Sequence, residues 1–141
     1  MSFEDEYREA IRDIIEKDPR YPPAAYDFVR DAVSFTTDRK LREGGEPSQL
    51  HHVSGQELLD GIRELALDQF GPLAMDVLDD WNVKKTVDFG NIVFNLVESR
   101  LLGASDEDSP QDFADGYDFV DAFVKPFVEV GPAPRDIPKI H

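Results

Sequence analysis

The segment from Val53 to Pro72 leaves little choice of local structure. Ser54 and Glu57 have the spacing of a capping box, in which each side chain satisfies a free backbone N–H of the other. Val53 before the cap and Leu58 at the fourth helical position supply a hydrophobic staple. Leu58, Leu59, Ile62, Leu65, Ala66 and Phe70 then recur at three- and four-residue intervals and line one face. Gly71 accepts the left-handed conformation that ends a helix, and Pro72 cannot continue it. The spacing predicts a helix over residues 55–70, with one apolar face that must be buried.

The same logic runs along the rest of the chain. Phe3, Tyr7, Ile11, Ile14 and Ile15 form a stripe over residues 2–17, with Ser2 as a cap and Glu4, Asp5 and Glu6 at the positive end of the helix dipole. A second helix opens at Tyr21-Pro22-Pro23, where proline lacks only an N–H that would be unpaired anyway, and runs to about residue 41. Its inward residues are Ala25, Phe28, Val29, Ala32, Val33 and Thr36. Residues 43–50 read as a loop. A short fourth helix opens at Pro72, with Leu73, Val77, Leu78 and Trp81 inward and Asn82 as terminator. A fifth is capped by Thr86 and ended by Gly103. Its stripe is Phe89, Ile92, Val93, Leu96, Val97 and Leu101, and Phe94 and Leu102 extend apolar surface around it, as in a central helix.

Residues 104–121 differ in composition. No base lies between Arg100 and Lys125, while Asp106, Glu107, Asp108, Asp112, Asp115, Asp118 and Asp121 crowd together. Ser109-Pro110 predicts a short helix, Asp115-Gly116 a turn, and Asp118 a cap for one more helical turn that stops before Pro126. Phe113, Tyr117, Phe119, Phe123 and Phe127 are spaced to anchor this segment. Residues 127–130 can form a short strand, and residues 131–141, with three prolines, an extended tail.

The fold class expected is therefore all-α: a compact bundle of about five main helices plus a short helical acidic C-terminal segment. One domain over residues 1–130 suits a chain of 141 residues with 40% hydrophobic content. The net charge of −15 disfavours nucleic acid and anionic membrane surfaces as partners and favours basic proteins or cations. No cysteine is present, which excludes disulfides, thiolate catalysis and Cys-ligated metals. The acidic start and the lack of a long apolar run make cytoplasmic the default location.

Four arrangements bear on chemistry. His51-His52 can ligate a metal together with carboxylates, although no His-x-x-x-His or Glu-x-x-His pair supports it. The acidic segment fails as a calcium loop. With Gly116 as the loop glycine, Gln111 and Phe113 fall on acidic positions and Ala122 on that of the bidentate glutamate. The fourth and fifth helices have helix-turn-helix spacing, but Arg100 is the fifth helix's sole base, with Lys84 and Lys85 nearby. No nucleophile elbow or phosphate-binding glycine loop occurs, and no cofactor is expected.

Several strings resemble a known family. They are Tyr21-Pro22-Pro23-Ala24-Ala25-Tyr26, His52-Val53-Ser54-Gly55-Gln56-Glu57-Leu58-Leu59, Asp68-Gln69-Phe70-Gly71-Pro72-Leu73-Ala74 and Asp88-Phe89-Gly90-Asn91-Ile92-Val93-Phe94. Gly116-Tyr117-Asp118-Phe119 and Lys125-Pro126-Phe127 continue the likeness. Together they resemble an uncharacterised bacterial family restricted to Planctomycetes and Verrucomicrobia, over about residues 21–127. The resemblance implies a bacterial origin and one compact unit, and it assigns no activity, cofactor or site.

The leading functional expectation is a non-catalytic acidic module that binds another protein, a basic one, through Asp106, Glu107, Asp108, Asp112 and Asp115. The alternative is a metal-dependent enzyme using His51 or His52 with carboxylates. The oligomeric state stays open.

Overall fold

The computed structural model describes residues 2–44, 53–103 and 108–128. They form five α-helices: α1 (Phe3–Lys17), α2 (Pro23–Arg42), α3 (Gly55–Phe70), α4 (Ala74–Asp80) and α5 (Thr86–Glu98). A 3₁₀ turn, Gly71–Leu73, precedes α4. The acidic segment follows α5 as a 3₁₀ turn (Pro110–Phe113), a π-helical turn (Val120–Val124) and a second 3₁₀ turn (Lys125–Phe127). No strand occurs among the described residues.

The capping signals act as predicted. Ser54 Oγ accepts from the Glu57 N–H at 3.0 Å, and Glu57 Oε1 accepts from the Ser54 N–H at 2.9 Å. Ser2 and Asp5 make the same reciprocal pair at the start of α1. Asn82 ends α4 with φ 63°, and the following Val83 N–H reaches back to the Leu78 carbonyl at 2.9 Å. That is a Schellman closure, with Leu78 and Val83 both buried beneath it.

Packing centres on α2, α3 and α5. Tyr26, Ala32, Ile62, Ala66, Leu78, Ile92 and Phe123 are fully buried. Each large apolar side chain so buried contributes about 1.5–3 kcal/mol. The tightest crossing joins α2 to α3, because Gly61 lets Thr36 sit against the α3 backbone. A Cβ on Gly61 would come within 1.8 Å of Thr36 Oγ1. Phe28, Phe70 and Trp81 close one end of the bundle as a three-ring cluster, with centroids 5.5–5.7 Å apart.

Several expectations need correction. Phe3 and Leu73, placed on inward stripes, are 65% and 61% exposed. Phe3 lies in the first turn of α1 under the Arg30 guanidinium, and Leu73 lies in the 3₁₀ turn, whose tighter winding shifts the phase of the stripe. Thr86 is the first residue of α5 rather than its cap. Asp88 Oδ2 does that work, accepting from the N–H groups of Lys84 and Lys85 at 2.8 and 3.0 Å. Helix α5 stops at Glu98, before Gly103. Arg100 takes the left-handed conformation, φ 62°, and the Leu101 N–H closes on the Leu96 carbonyl at 2.9 Å. The helical turn capped by Asp118 does stop at Val124, before Pro126, but Phe127, in the 3₁₀ turn that follows, is exposed rather than anchored. The strand expected over residues 127–130 begins in that turn, and its last two residues lie outside the described ones. The loop at residues 45–50 and the tail at residues 131–141 also lie outside them.

Candidate functional site

The C-terminal segment is tied down by its rings and by polar contacts to α3 and α5. Phe113 is buried and packs edge-on to Phe94 at 6.5 Å. Phe119 meets Phe89 at 5.8 Å and Phe123 at 5.2 Å. Tyr117 donates its hydroxyl to the Leu59 carbonyl at 2.8 Å, and its burial pushes the phenol well above the usual range. The Gly116 N–H donates to Thr86 Oγ1 at 3.0 Å, which is the role the threonine takes in place of capping.

On this scaffold Asp112 and Asp115 point to solvent. Asp112 Oδ2 accepts from the Ser109 N–H at 3.0 Å, and its carbonyl accepts from Gln56 Nε2 at 3.1 Å. Asp115 holds a left-handed turn, φ 56°. Asp118 caps the π turn through the Val120 and Asp121 N–H groups, at 2.9 and 3.2 Å, and Asp121 pairs with Lys125 at 2.6 Å. Some of these acids thus fix tight turns as well as carrying charge. Asp108 is half-buried. Asp106, Glu107, His51 and His52 lie outside the described residues. Among the described residues, no group of three or more His, Asp or Glu side chains is arranged to hold a metal ion.

An apolar cavity of about 410 Å³ lies beside the segment, a feature no local sequence pattern indicated. Val53, Leu58, Val93, Phe94 and Phe113 line it, with Asp108 and Asp112 among the polar groups. Asp112 is exposed, which places it at the mouth. Glycines shape the neighbourhood. A Cβ on Gly90 would fall 2.9 Å from Phe113 Cβ, and one on Gly55 would fall 3.1 Å from Asp112 Cβ. Gly55 and Gly90 in the sequence were the available signal, but their partners are far away along the chain.

A second polar cluster joins the α1–α2 corner to α5. Asp18 takes a bidentate bond from Arg20, at 2.8 and 2.7 Å, and a third from Asn95 Nδ2 at 2.9 Å. Asn95 also donates to the Tyr26 hydroxyl at 3.0 Å. Tyr21 donates to Asp88 Oδ1 at 2.6 Å and accepts from Asn91 at 3.1 Å. Arg20 holds the Asp18 carboxyl well below the usual carboxylate range, while burial, followed by the bond to Asp88, pushes the Tyr21 phenol up to about 12. Both shifts run away from neutrality. A general acid or base would need the opposite. Among the described residues every buried side-chain nitrogen and oxygen has a partner, so the cluster serves the scaffold.

No helix among the described residues is long and apolar enough to cross a membrane. No protein-family model, curated protein or solved structure was found to match the chain.

Proposed function

We propose that this protein is a non-catalytic interaction module that binds a basic partner protein through the acidic face carrying Asp108, Asp112 and Asp115. Asp106 and Glu107 extend the same one-signed run in the sequence. The observation that carries the reading is the docking of Phe113, Tyr117, Phe119 and Phe123 on the core within a segment whose Asp112 and Asp115 are exposed. Charges on a docked segment can meet a partner in one register without the ordering cost of a free tail. We also propose that the chain belongs with the bacterial family it resembles, a membership that adds no activity.

The test is the joint variant Asp108→Asn, Asp112→Asn and Asp115→Asn, which keeps a side-chain acceptor at each position and removes three charges. With its melting temperature unchanged, it should lose a partner that the native protein captures from host lysate at low salt and releases at high salt. Identical captured sets for both proteins at both salt levels would remove this face as a binding site.

A further inference from the structure

The cavity beside the acids is larger than a packing defect. A dry apolar cavity of about 150 Å³ already holds a benzene ring, and ligand pockets start at about 300 Å³. At about 410 Å³, this one has room for two apolar side chains. Its walls come from α2, α3, α5 and the 3₁₀ turn at Pro110–Phe113, so several separate elements hold its shape. Its polar groups include two carboxylates, Asp108 and Asp112, and no basic side chain is among the lining residues that the structure describes.

We propose that this cavity is the anchor pocket of the acidic face. It takes two apolar side chains from a partner segment, one of them aromatic, with lysine or arginine on both flanks to meet Asp108 and Asp112. The inference rests on the interaction-module reading and adds the chemistry of the partner. Charge complementarity selects the occupant. Two carboxylates lie among the lining groups, and the run of acids continues along the sequence to Asp115 on a chain of net charge −15, so cations spaced along a peptide match them better than a single amine does. An apolar anchor in a pocket with a charged rim is also the usual division of labour between affinity and registration.

The probe is the capped hexapeptide Lys-Lys-Leu-Phe-Lys-Lys, titrated into ¹⁵N-labelled full-length protein. Amide shifts should concentrate at Gly55, Val93, Phe94 and Phe113 and saturate. Asp108→Asn with Asp112→Asn should weaken binding roughly fivefold, as expected for the loss of two weak ion pairs, one exposed and one half-buried. Val97→Phe, which projects bulk into the cavity, should abolish binding while the native melting temperature is kept. Should that variant unfold, the paired asparagine variant still decides the matter. Three controls can overturn the proposal. Equal binding by Lys-Lys-Ala-Ala-Lys-Lys would mean that charge alone acts; the cavity assignment would fall and the acidic-face reading would survive. Equal binding by the glutamate counterpart would remove charge selection. Equal binding by phenethylamine would replace a peptide partner with a small amine. Shifts confined to another face, or no binding to the millimolar limit, would also overturn the pocket. The lysate comparison above then decides separately whether the acidic face binds anything.

Discussion

The Phe113 ring lies directly on the backbone of Gly90, so close that a Cβ at Gly90 would stand 2.9 Å from Phe113 Cβ and 3.0 Å from Cγ. This contact seats the acidic segment on α5. Alanine at position 90 would gain about 1 kcal/mol of helix propensity. It would also force the segment outward at an overpacking cost of about 1–3 kcal/mol. We expect Gly90→Ala to be destabilising by about 1 kcal/mol net. Amide exchange at Gly116 should speed up more than exchange in the middle of α3. Uniform acceleration, or none, would show that the segment is not held through this contact.

Gly61 and Thr36 predict a measurable coupling. Thr36 is buried, and its hydroxyl donates back to the Ala32 carbonyl at 2.7 Å. Gly61→Ala should cost about 2 kcal/mol, because the new methyl overlaps Thr36 Oγ1. Adding Thr36→Ala removes the overlapping oxygen and should restore part of that loss. Urea denaturation of the four proteins should give a coupling of more than about 1 kcal/mol. Simple additivity would mean that α2 and α3 do not cross here.

Ser54→Ala should lower stability by about 1 kcal/mol, and Ser54→Asp should retain most of it. The Ser54 N–H, and to a smaller extent Lys40 at 3.2 Å, keep the Glu57 carboxyl below its usual range, so the cap is charge-assisted. An Ala variant as stable as the native protein would refute the capping role.

Asp18 gives a pH signature. Its folded pKa lies below the ordinary value of 3.8, through Arg20 first, with the bond from Asn95 acting the same way. A depressed carboxyl stabilises the fold above its unfolded pKa and loses that contribution as pH falls toward the folded value. The stability difference between native protein and Asp18→Asn should therefore be constant from about pH 7 to 5 and shrink below about pH 4. A difference that persists unchanged to about pH 2 would rule the ion pair out as its source.

The helices were legible because their determinants are local. Ser54 and Glu57, Gly71-Pro72 and Asn82 act on backbone groups within a few residues, so spacing alone identifies them. The ends of α5 were misread for two different reasons. Thr86 looks like a capping residue, yet its hydroxyl is bonded to Gly116, and Arg100 adopts a left-handed conformation for which sequence reading looks to glycine or asparagine. The acids at Asp108, Asp112 and Asp115 were visible as a one-signed run, while the cavity beside them was not.

The sequence by itself determined where α1, α2 and α3 start and most of the face that each helix buries, since capping and periodicity are short-range and repeat within a turn or two. Only the tertiary structure decided which buried faces meet. Gly61 fits against Thr36, and Gly90 against Phe113, because each residue has the shape to meet another far away in the chain. The same long-range meeting of α2, α3, α5 and the Pro110–Phe113 turn encloses the cavity and sets Asp108 and Asp112 beside it. Nothing in a local stretch encodes that juxtaposition, because it exists only once separate surfaces have closed on one another.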